Sequence, residues 1–398
     1  MSEQMTQYMD NAEKVLLHTY NRFPVTFEKG EGVCLYDTDG KKYLDFASGI
    51  GVMGLGYGNR EYADALKSQI DKITHVSNLF YSTPLYPAAD RLRKASGMDR
   101  IFFTNSGTEA IEGAMKAAKK FGYTRDGVAD HEIIAFNNSF HGRSLGALSV
   151  TGTKHYRDPF EKLIPGISFA DFNDIDSVNA LVTDKTIAVI VEPIQGEGGI
   201  NVATPEFMKG LDDLRKKGIL LIFDEVQCGM GRSGSMFAFQ EYGIKPDILV
   251  MAKALGCGVP VGAFALTEEI AEKSLCPGDH GTTYGGNPFV CAAVDKVLEI
   301  YERDGIVAHV NEVAPVFEKC LNDIAQSCEC VEAVKGKGLI RGLKLKDGVK
   351  AADVMKKGLE EGIVLLTAEG NVLRMLPPLV MSAAEIEEGC VKIKEILM

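Results

Sequence analysis

Two residues carry the chemistry this chain can do, and each follows an apolar run. Ile219-Leu220-Leu221-Ile222-Phe223 ends in Asp224, and Asp247-Ile248-Leu249-Val250-Met251-Ala252 leads to Lys253, 29 positions beyond the aspartate. A lysine amine in such a place can form a Schiff base with an aldehyde. A carboxylate can keep a pyridine nitrogen protonated, so that the ring acts as an electron sink. Each residue also has a plainer reading. A lysine after a strand is usually a surface end, and an aspartate there is often a helix cap or a turn residue. The pair gains meaning when a phosphate site accompanies it.

Thr104-Asn105-Ser106-Gly107-Thr108-Glu109 supplies that site between a strand and a helix. Hydroxylic residues and a glycine at a helix N-terminus offer backbone amides, hydroxyls and the positive end of the helix dipole, which suits a phosphate dianion. Ser106 with Glu109 also reads as a capping box, and the two roles are compatible. Amine, carboxylate and phosphate cradle together match what pyridoxal phosphate needs.

Other segments add weaker signals. In Phe140-His141-Gly142-Arg143 the aromatic can stack on a planar ring and the arginine can clamp a carboxylate through two hydrogen bonds. Glu192-Pro193-Ile194-Gln195-Gly196-Glu197-Gly198-Gly199 lets a backbone approach a ligand closely, although a turn explains its glycines equally well. Asp279 to Pro288 sets Thr282 and Thr283 beside glycines, either as a second hydroxyl clamp or as a turn-rich helix entry. Gly229-Met230-Gly231-Arg232-Ser233-Gly234 fits the dinucleotide pattern GxGxxG, but Asp224 to Gln227 occupies the strand exit and no clean helix follows.

The elements that must hold these residues alternate. Strands are expected at Ile101–Phe103, Ile133–Phe136 and Ile187–Val191, before those of Asp224 and Lys253. Between them come a helix from Glu109 to Phe121, with Gly122 as its stop, and one from Pro205 to Lys217. Unbroken apolar strands alternating with helices indicate an α/β fold with a mostly parallel sheet. A helix is expected at 288–303. Beyond it the texture changes to helices at 309–326, 350–361 and 383–396, with strands at 330–334, 339–345, 363–366 and 372–376, a smaller α+β unit. Val33–Asp37 and Lys42–Phe46, joined by Thr38-Asp39-Gly40, form a hairpin that can complete it. The expected division is an N-terminal segment 1–50 packing with the small domain, a large cofactor-binding domain 51–304 and a C-terminal small domain 305–398.

Composition narrows the function classes. The 398 residues are 45% hydrophobic and carry a net charge of -12, which makes nucleic acid an unfavoured partner. No apolar run reaches the roughly 18 residues of a membrane span, and the polar, acidic N-terminus resembles neither a secretory signal nor a transit peptide. Nine cysteines without framework spacing suit reduced thiols in a cytoplasm. Cys328-x-Cys330 has no second pair at ligand spacing, so no metal is expected.

FFTNSGTEA, FHGRS, EPIQGEGG, DEVQ, AKALG, HGTTYGGNP and LRMLPPL together resemble the class III aminotransferases, the ornithine-type subgroup II of fold type I, over nearly the whole chain. The resemblance implies a seven-stranded, mostly parallel sheet in the large domain, pyridoxal 5'-phosphate as cofactor and a homodimer with shared sites. It implies ping-pong transfer of a terminal amino group to 2-oxoglutarate. N-acetylornithine is the first candidate donor, and succinylornithine, ornithine, 4-aminobutyrate or a diamine are the alternatives. By the same resemblance Lys253 is the Schiff-base lysine and proton carrier, and Asp224 pairs with the pyridinium nitrogen. Phe140 stacks on the ring, with His141 and Val226 also binding the cofactor, and Gln227 approaches its phenolic oxygen. Ser106, Gly107 and Thr108 hold the phosphate, helped by Thr283 of a neighbouring subunit, while Thr282 lies near the substrate. Arg143 clamps a substrate carboxylate, and Glu197 with Arg374 forms a gate. Val52 to Asn59 departs from the family, whose members usually carry a His-Pro pair near its end, and this bears on acyl-group preference. A silent cofactor-binding relative would have little use for both Lys253 and Asp224.

Overall fold

A computed structural model describes residues 2–160 and 162–398. Seven short apolar strands join in one sheet: β1 (Arg100–Thr104), β2 (Glu132–Phe136), β3 (Ile167–Ala170), β4 (Thr186–Val191), β5 (Leu220–Asp224), β6 (Ile248–Met251) and β7 (Gly262–Leu266). Their order across the sheet is β1-β7-β6-β5-β4-β2-β3. Only β7 runs against its neighbours, pairing antiparallel with β6 and β1; the other pairs are parallel. The seven-stranded, mostly parallel sheet expected from the sequence is thus present.

Apolar residues without alternation are explained by cover on both faces. Ile133, Ala135, Ile190, Ile222 and Val250 face one layer with Ala110, Ile111, Ala114 and Ala118 of helix α1 (Gly107–Asp126). Ile134, Phe136, Val189, Phe223 and Leu249 face the other, with Phe207 and Leu211 of the helix Pro205–Arg215 and Val290 and Val294 of Pro288–Arg303. Helix α1 is longer than its sequence suggested. Gly122 does not stop it; the helix passes through and ends before Gly127, which is left-handed at φ 76°. Gly122 is small for another reason: a Cβ there would lie 2.4 Å from Cδ2 of the buried His131.

Two smaller sheets draw on both ends of the chain. Phe27–Glu31, Cys34–Asp37 and Lys42–Asp45 form the expected hairpin with one more strand, and Ile363–Val364 adds to it in parallel. Val331–Lys337, Ile340–Leu345, Val372–Met375 and Leu366–Ala368 form the other, antiparallel throughout. The single strand expected at 363–366 is therefore two, one in each sheet. Buried Arg232 ties these regions to the turn 229–234, donating to the carbonyls of Leu339 (3.2 Å) and Pro377. That segment is a turn followed by a single 3₁₀ turn, Ala238–Tyr242, unlike the strand–turn–helix of a dinucleotide site. Among the described residues no helix is long and apolar enough to cross a membrane.

Gly122→Ala sets two effects against each other. Alanine favours a helix by about 1 kcal/mol over glycine, whereas forcing a methyl into a packed site costs about 1–3 kcal/mol. With His131 buried, the clash should prevail and lower the urea midpoint; an unchanged or higher midpoint would show that His131 moves aside freely.

Candidate active site

Register gathers the site. Asp224, last in β5, pairs with Val250 of β6, three residues before Lys253. Phe223 pairs with Val191 of β4, so Glu192 stands one position past the same sheet edge. Because β7 is antiparallel to both its neighbours, β1 runs in the direction of β6, and the Ser106 loop leaves at that edge too. Ligands of open α/β sheets bind at this carboxyl edge.

A cavity of about 490 Å³ opens there, lined by Ser106, Gly107, Thr108, Phe140, His141, Arg143, Glu192, Glu197, Asp224, Val226, Gln227 and Lys253. Asp224 is 4% exposed. Its Oδ2 accepts from His141 Nδ1 at 2.7 Å and its Oδ1 from the Val226 amide at 2.9 Å. A carboxylate only accepts, so the shared proton sits on Nδ1, and the buried Nε2 of His141 has no partner among the described residues. Lys253 opens a 3₁₀ turn in the left-handed region at φ 50°, a strained place for a lysine. Burial lowers its pKa and Arg374 adds to this, against the opposing pull of Glu197 and Asp224.

At the N-terminus of α1 Ser106 Oγ accepts from the Glu109 amide at 3.3 Å. Glu109 reaches back to the Asn105 amide at 2.6 Å, one residue further than an ordinary capping box. The amides of Gly107 and Thr108, the first two of α1, have no intrahelical acceptor, and both residues line the cavity. Gly142, at φ 136°, lets the 140–143 segment close over Thr108: a Cβ there would lie 2.3 Å from Thr108 Oγ1. Thr108 Oγ1 lies 2.9 Å from Ser144 Oγ, which donates to Glu112 Oε1 at 2.6 Å.

Arg143 is exposed at the rim, its guanidinium 3.6 Å from the Tyr156 ring centre. On the far side Arg374 donates to Glu197 from Nη1 (2.5 Å) and Nη2 (3.1 Å), and to Gln227 Oε1 at 3.1 Å. Burial alone would raise the Glu197 pKa, but the charge and hydrogen bonds of Arg374 outweigh it and leave the pKa below its ordinary value. Glu192 Oε2 accepts from the Phe140 amide (3.1 Å) and Oε1 from the Gly196 amide (3.2 Å). Burial pushes the Glu192 pKa up to about 7, with Asp224 adding and His141 opposing.

The fold therefore brings all but three of the residues singled out from the sequence to one cavity wall. Arg374 sits behind Glu197. Thr282 accepts from Asn105 Nδ2 at 3.0 Å, and Thr283 is exposed outside this chain's cavity. Sequence reasoning gave no role to Glu192, Glu112, Ser144 or the apolar wall of Val259, Pro260 and Val261, which Val52 joins from the stretch linked to acyl-group preference. Glu192 had a signal, since it leaves its strand as Asp224 leaves the next. Val52 follows a turn, Ser48 to Gly51, whose φ values are all positive, including the β-branched Ile50 at 67°. Among the described residues no group of three or more His, Cys, Asp or Glu can hold a metal ion.

This constellation has an amine facing a cavity, a buried carboxylate and a helix N-terminus, which fits a pyridine aldehyde bearing a phosphate. Residues 16–397 match the family model for class-III aminotransferases. An acetylornithine aminotransferase of Methanocaldococcus jannaschii is 45% identical, the match covering 96% of this chain and 95% of that one. An acetylornithine/succinyldiaminopimelate aminotransferase of Photorhabdus laumondii is 40% identical over 100% and 99%. The solved ornithine aminotransferase of Toxoplasma gondii superposes with a TM-score of 0.95 at 30% identity, covering 99% of this chain and 94% of that one. The chain belongs to the class-III aminotransferases.

Proposed function

We propose that this aminotransferase uses pyridoxal 5'-phosphate to move the terminal amino group of N-acetylornithine to 2-oxoglutarate, giving N-acetylglutamate semialdehyde and glutamate. Such a reaction belongs to arginine biosynthesis in a cytoplasm. The observation that carries it is one cavity lined by Lys253, Asp224 and Glu197, with Arg374 paired to Glu197 behind the wall. The names of the most similar relatives favour the donor. The double name of the Photorhabdus relative favours a second reading with a succinylated donor, and the wall at Val52 is where acyl size would be read.

When bound, pyridoxal phosphate supplies an electrophilic aldehyde and an electron-withdrawing ring. Asp224, fixed by His141 and Val226, would keep the ring nitrogen protonated. Phe140 would cover one ring face, and Ser106, Gly107 and Thr108 would hold the phosphate at the positive end of α1. Lys253 Nζ, shifted toward its neutral form, would take the proton from the carbon bearing the substrate nitrogen and return it across the transferred group. In this reading residues 51–304 form the cofactor-binding domain, and the ends of the chain form the small one. Purified protein should be yellow, and with 2-oxoglutarate as acceptor acetylornithine should give the highest kcat/KM in a panel of acylated and free ω-amino donors. Lys253→Ala should lose turnover and keep measurable cofactor binding; normal turnover in that variant, or a preference for another donor, would overturn the assignment.

Glu197 and Arg374 let one pocket serve two substrates. Acetylornithine presents its terminal amine, and its α-carboxylate would meet Arg143, so a masked Arg374 does no harm. The α-carboxylate of 2-oxoglutarate lies beside the reacting carbon and needs a cation there; Glu197 would swing away and free Arg374, while Arg143 takes the distal carboxylate. Glu197→Ala should therefore speed the single-turnover half-reaction with glutamate and slow that with acetylornithine. Equal changes in both, or the reverse bias, would make Glu197 an ordinary loop residue.

A second copy of the chain completes the phosphate site in this reading. Thr283 faces outward beside exposed Leu79, Phe80, Tyr81 and Tyr284, 62–99% accessible, and Asn78 ties the two segments through the Thr282 and Gly285 carbonyls (3.2 and 2.9 Å). Apolar groups so grouped suit burial against a two-fold partner. Light scattering during assay should show at least a dimer; a fully active monomer would refute the shared site.

A further inference from the structure

We infer that Glu192 is a positioning residue that couples the ring-covering wall of the site to the gate loop, through one carboxyl group that grips two backbone amides. The inference rests on the aminotransferase reading above and adds a residue to it.

The geometry is two-handed. Glu192 Oε2 accepts from the Phe140 amide at 3.1 Å, and Oε1 accepts from the Gly196 amide at 3.2 Å. Phe140 lines the cavity, and the next residue, His141, holds Asp224. Gly196 precedes Glu197, and its own carbonyl accepts from Arg374 Nη1 at 3.3 Å. One buried group thus fixes the wall over the cofactor ring on one side and the root of the Glu197–Arg374 pair on the other. Phe140 and Gly196 are 56 residues apart in sequence and lie in the loops that leave the paired strands β2 and β4.

Carboxylate chemistry is what the position demands. Both amides donate, so the group between them must accept twice, in two directions. A carboxylate does so with its two oxygens, and charge-assisted bonds of this kind are the stronger ones. Glutamine cannot: its oxygen satisfies one amide while its NH2 faces the other donor. Space is tight as well. Gln227, which shares the Glu197–Arg374 cluster, packs on Gly196 so closely that a Cβ there would lie 2.0 Å from Gln227 Oε1. Glu192 holds this loop at the Gly196 amide, and the Glu369 amide holds it one residue on, donating to the Glu197 carbonyl at 2.9 Å.

The role differs from that of the gate. Glu197 meets the two substrates differently, so its loss should split the half-reactions. Phe140 serves both, so loss of the Glu192 grip should slow both together.

The test reads amide hydrogen exchange at Phe140 and Gly196 in cofactor-free protein, then both half-reactions in the loaded enzyme. In Glu192→Gln, one of the two amides should exchange roughly tenfold faster or more, while Ile190 in β4 and Ile222 in β5 keep their protection. Loaded with cofactor, the variant should slow by roughly tenfold or more in both half-reactions, with little change in KM. Should Glu192→Gln fail to fold, Glu192→Asp keeps the charge but is one methylene short, and exchange should rise at whichever amide it cannot reach. Unchanged exchange at both amides overturns the inference. So does faster exchange that spreads evenly to Ile190 and Ile222, which would make Glu192 a general core residue, and so does a split between the half-reactions like that of Glu197→Ala when the Phe140 amide alone is freed. Were the aminotransferase reading itself wrong, the amides would still respond to Glu192→Gln while no donor turned over, so the two failures are distinct.

Discussion

A buried carboxylate must be held or it will not stay charged, and Asp224 is the group on which this site is built. Moving an unpaired carboxylate out of water costs far more than any single contact returns, so a protein that keeps one must surround it with donors. Here His141 Nδ1 at 2.7 Å and the Val226 amide at 2.9 Å meet that need. Those donors fix where the segments 140–143 and 224–227 run, and these carry Phe140, Arg143, Val226 and Gln227 into place. His141 also explains the neighbouring glycine: Gly142 takes a positive φ because its segment must reach Asp224 and still close over Thr108.

The second constraint is a balance of charge across the cavity. Lys253, Arg374, Glu197, Asp224 and Glu192 lie within one another's fields, and burial opposes the charges of Lys253, Glu197 and Glu192. The cations and carboxylates neutralise each other in groups rather than in isolated pairs. Arg374 keeps Glu197 ionised despite burial, whereas Glu192, which has only amides and the more distant His141, is pushed up to about 7. The same arithmetic lowers Lys253. A site arranged this way can exchange partners, because freeing Arg374 from Glu197 leaves it with Gln227 and the Gly196 carbonyl rather than with nothing.

Much of this was readable along the chain because it depends on local pattern. Uninterrupted apolar runs marked five of the seven strands, leaving Ile167–Ala170 and Gly262–Leu266 unread, and the change of texture after about residue 300 marked the smaller sheets. Signals failed where spatial neighbours overruled local propensity. Gly122 looked like a helix stop, but it is glycine because His131 lies against it. The run 363–366 looked like one strand, but Ile363–Val364 pairs with Lys42–Asp45 while Leu366–Ala368 pairs with Val372–Met375. Neither partner could be inferred from the run itself.

The sequence by itself determined the chemical repertoire: an amine and a carboxylate at the ends of two strands, hydroxyls and a glycine opening a helix, and an arginine after an aromatic. Side-chain type and strand periodicity are properties of a few adjacent residues, so they survive without a structure. Tertiary structure alone decided which groups share a proton or a charge. That Glu192 joins Phe140 to Gly196, that Thr108 is engaged by Ser144 and Glu112, and that Thr283 faces away from its own cavity all depend on residues brought together across the carboxyl edge of the sheet. The register of parallel strands sets those neighbours, and register is fixed by how two faces of side chains pack at once, which no single stretch of chain contains.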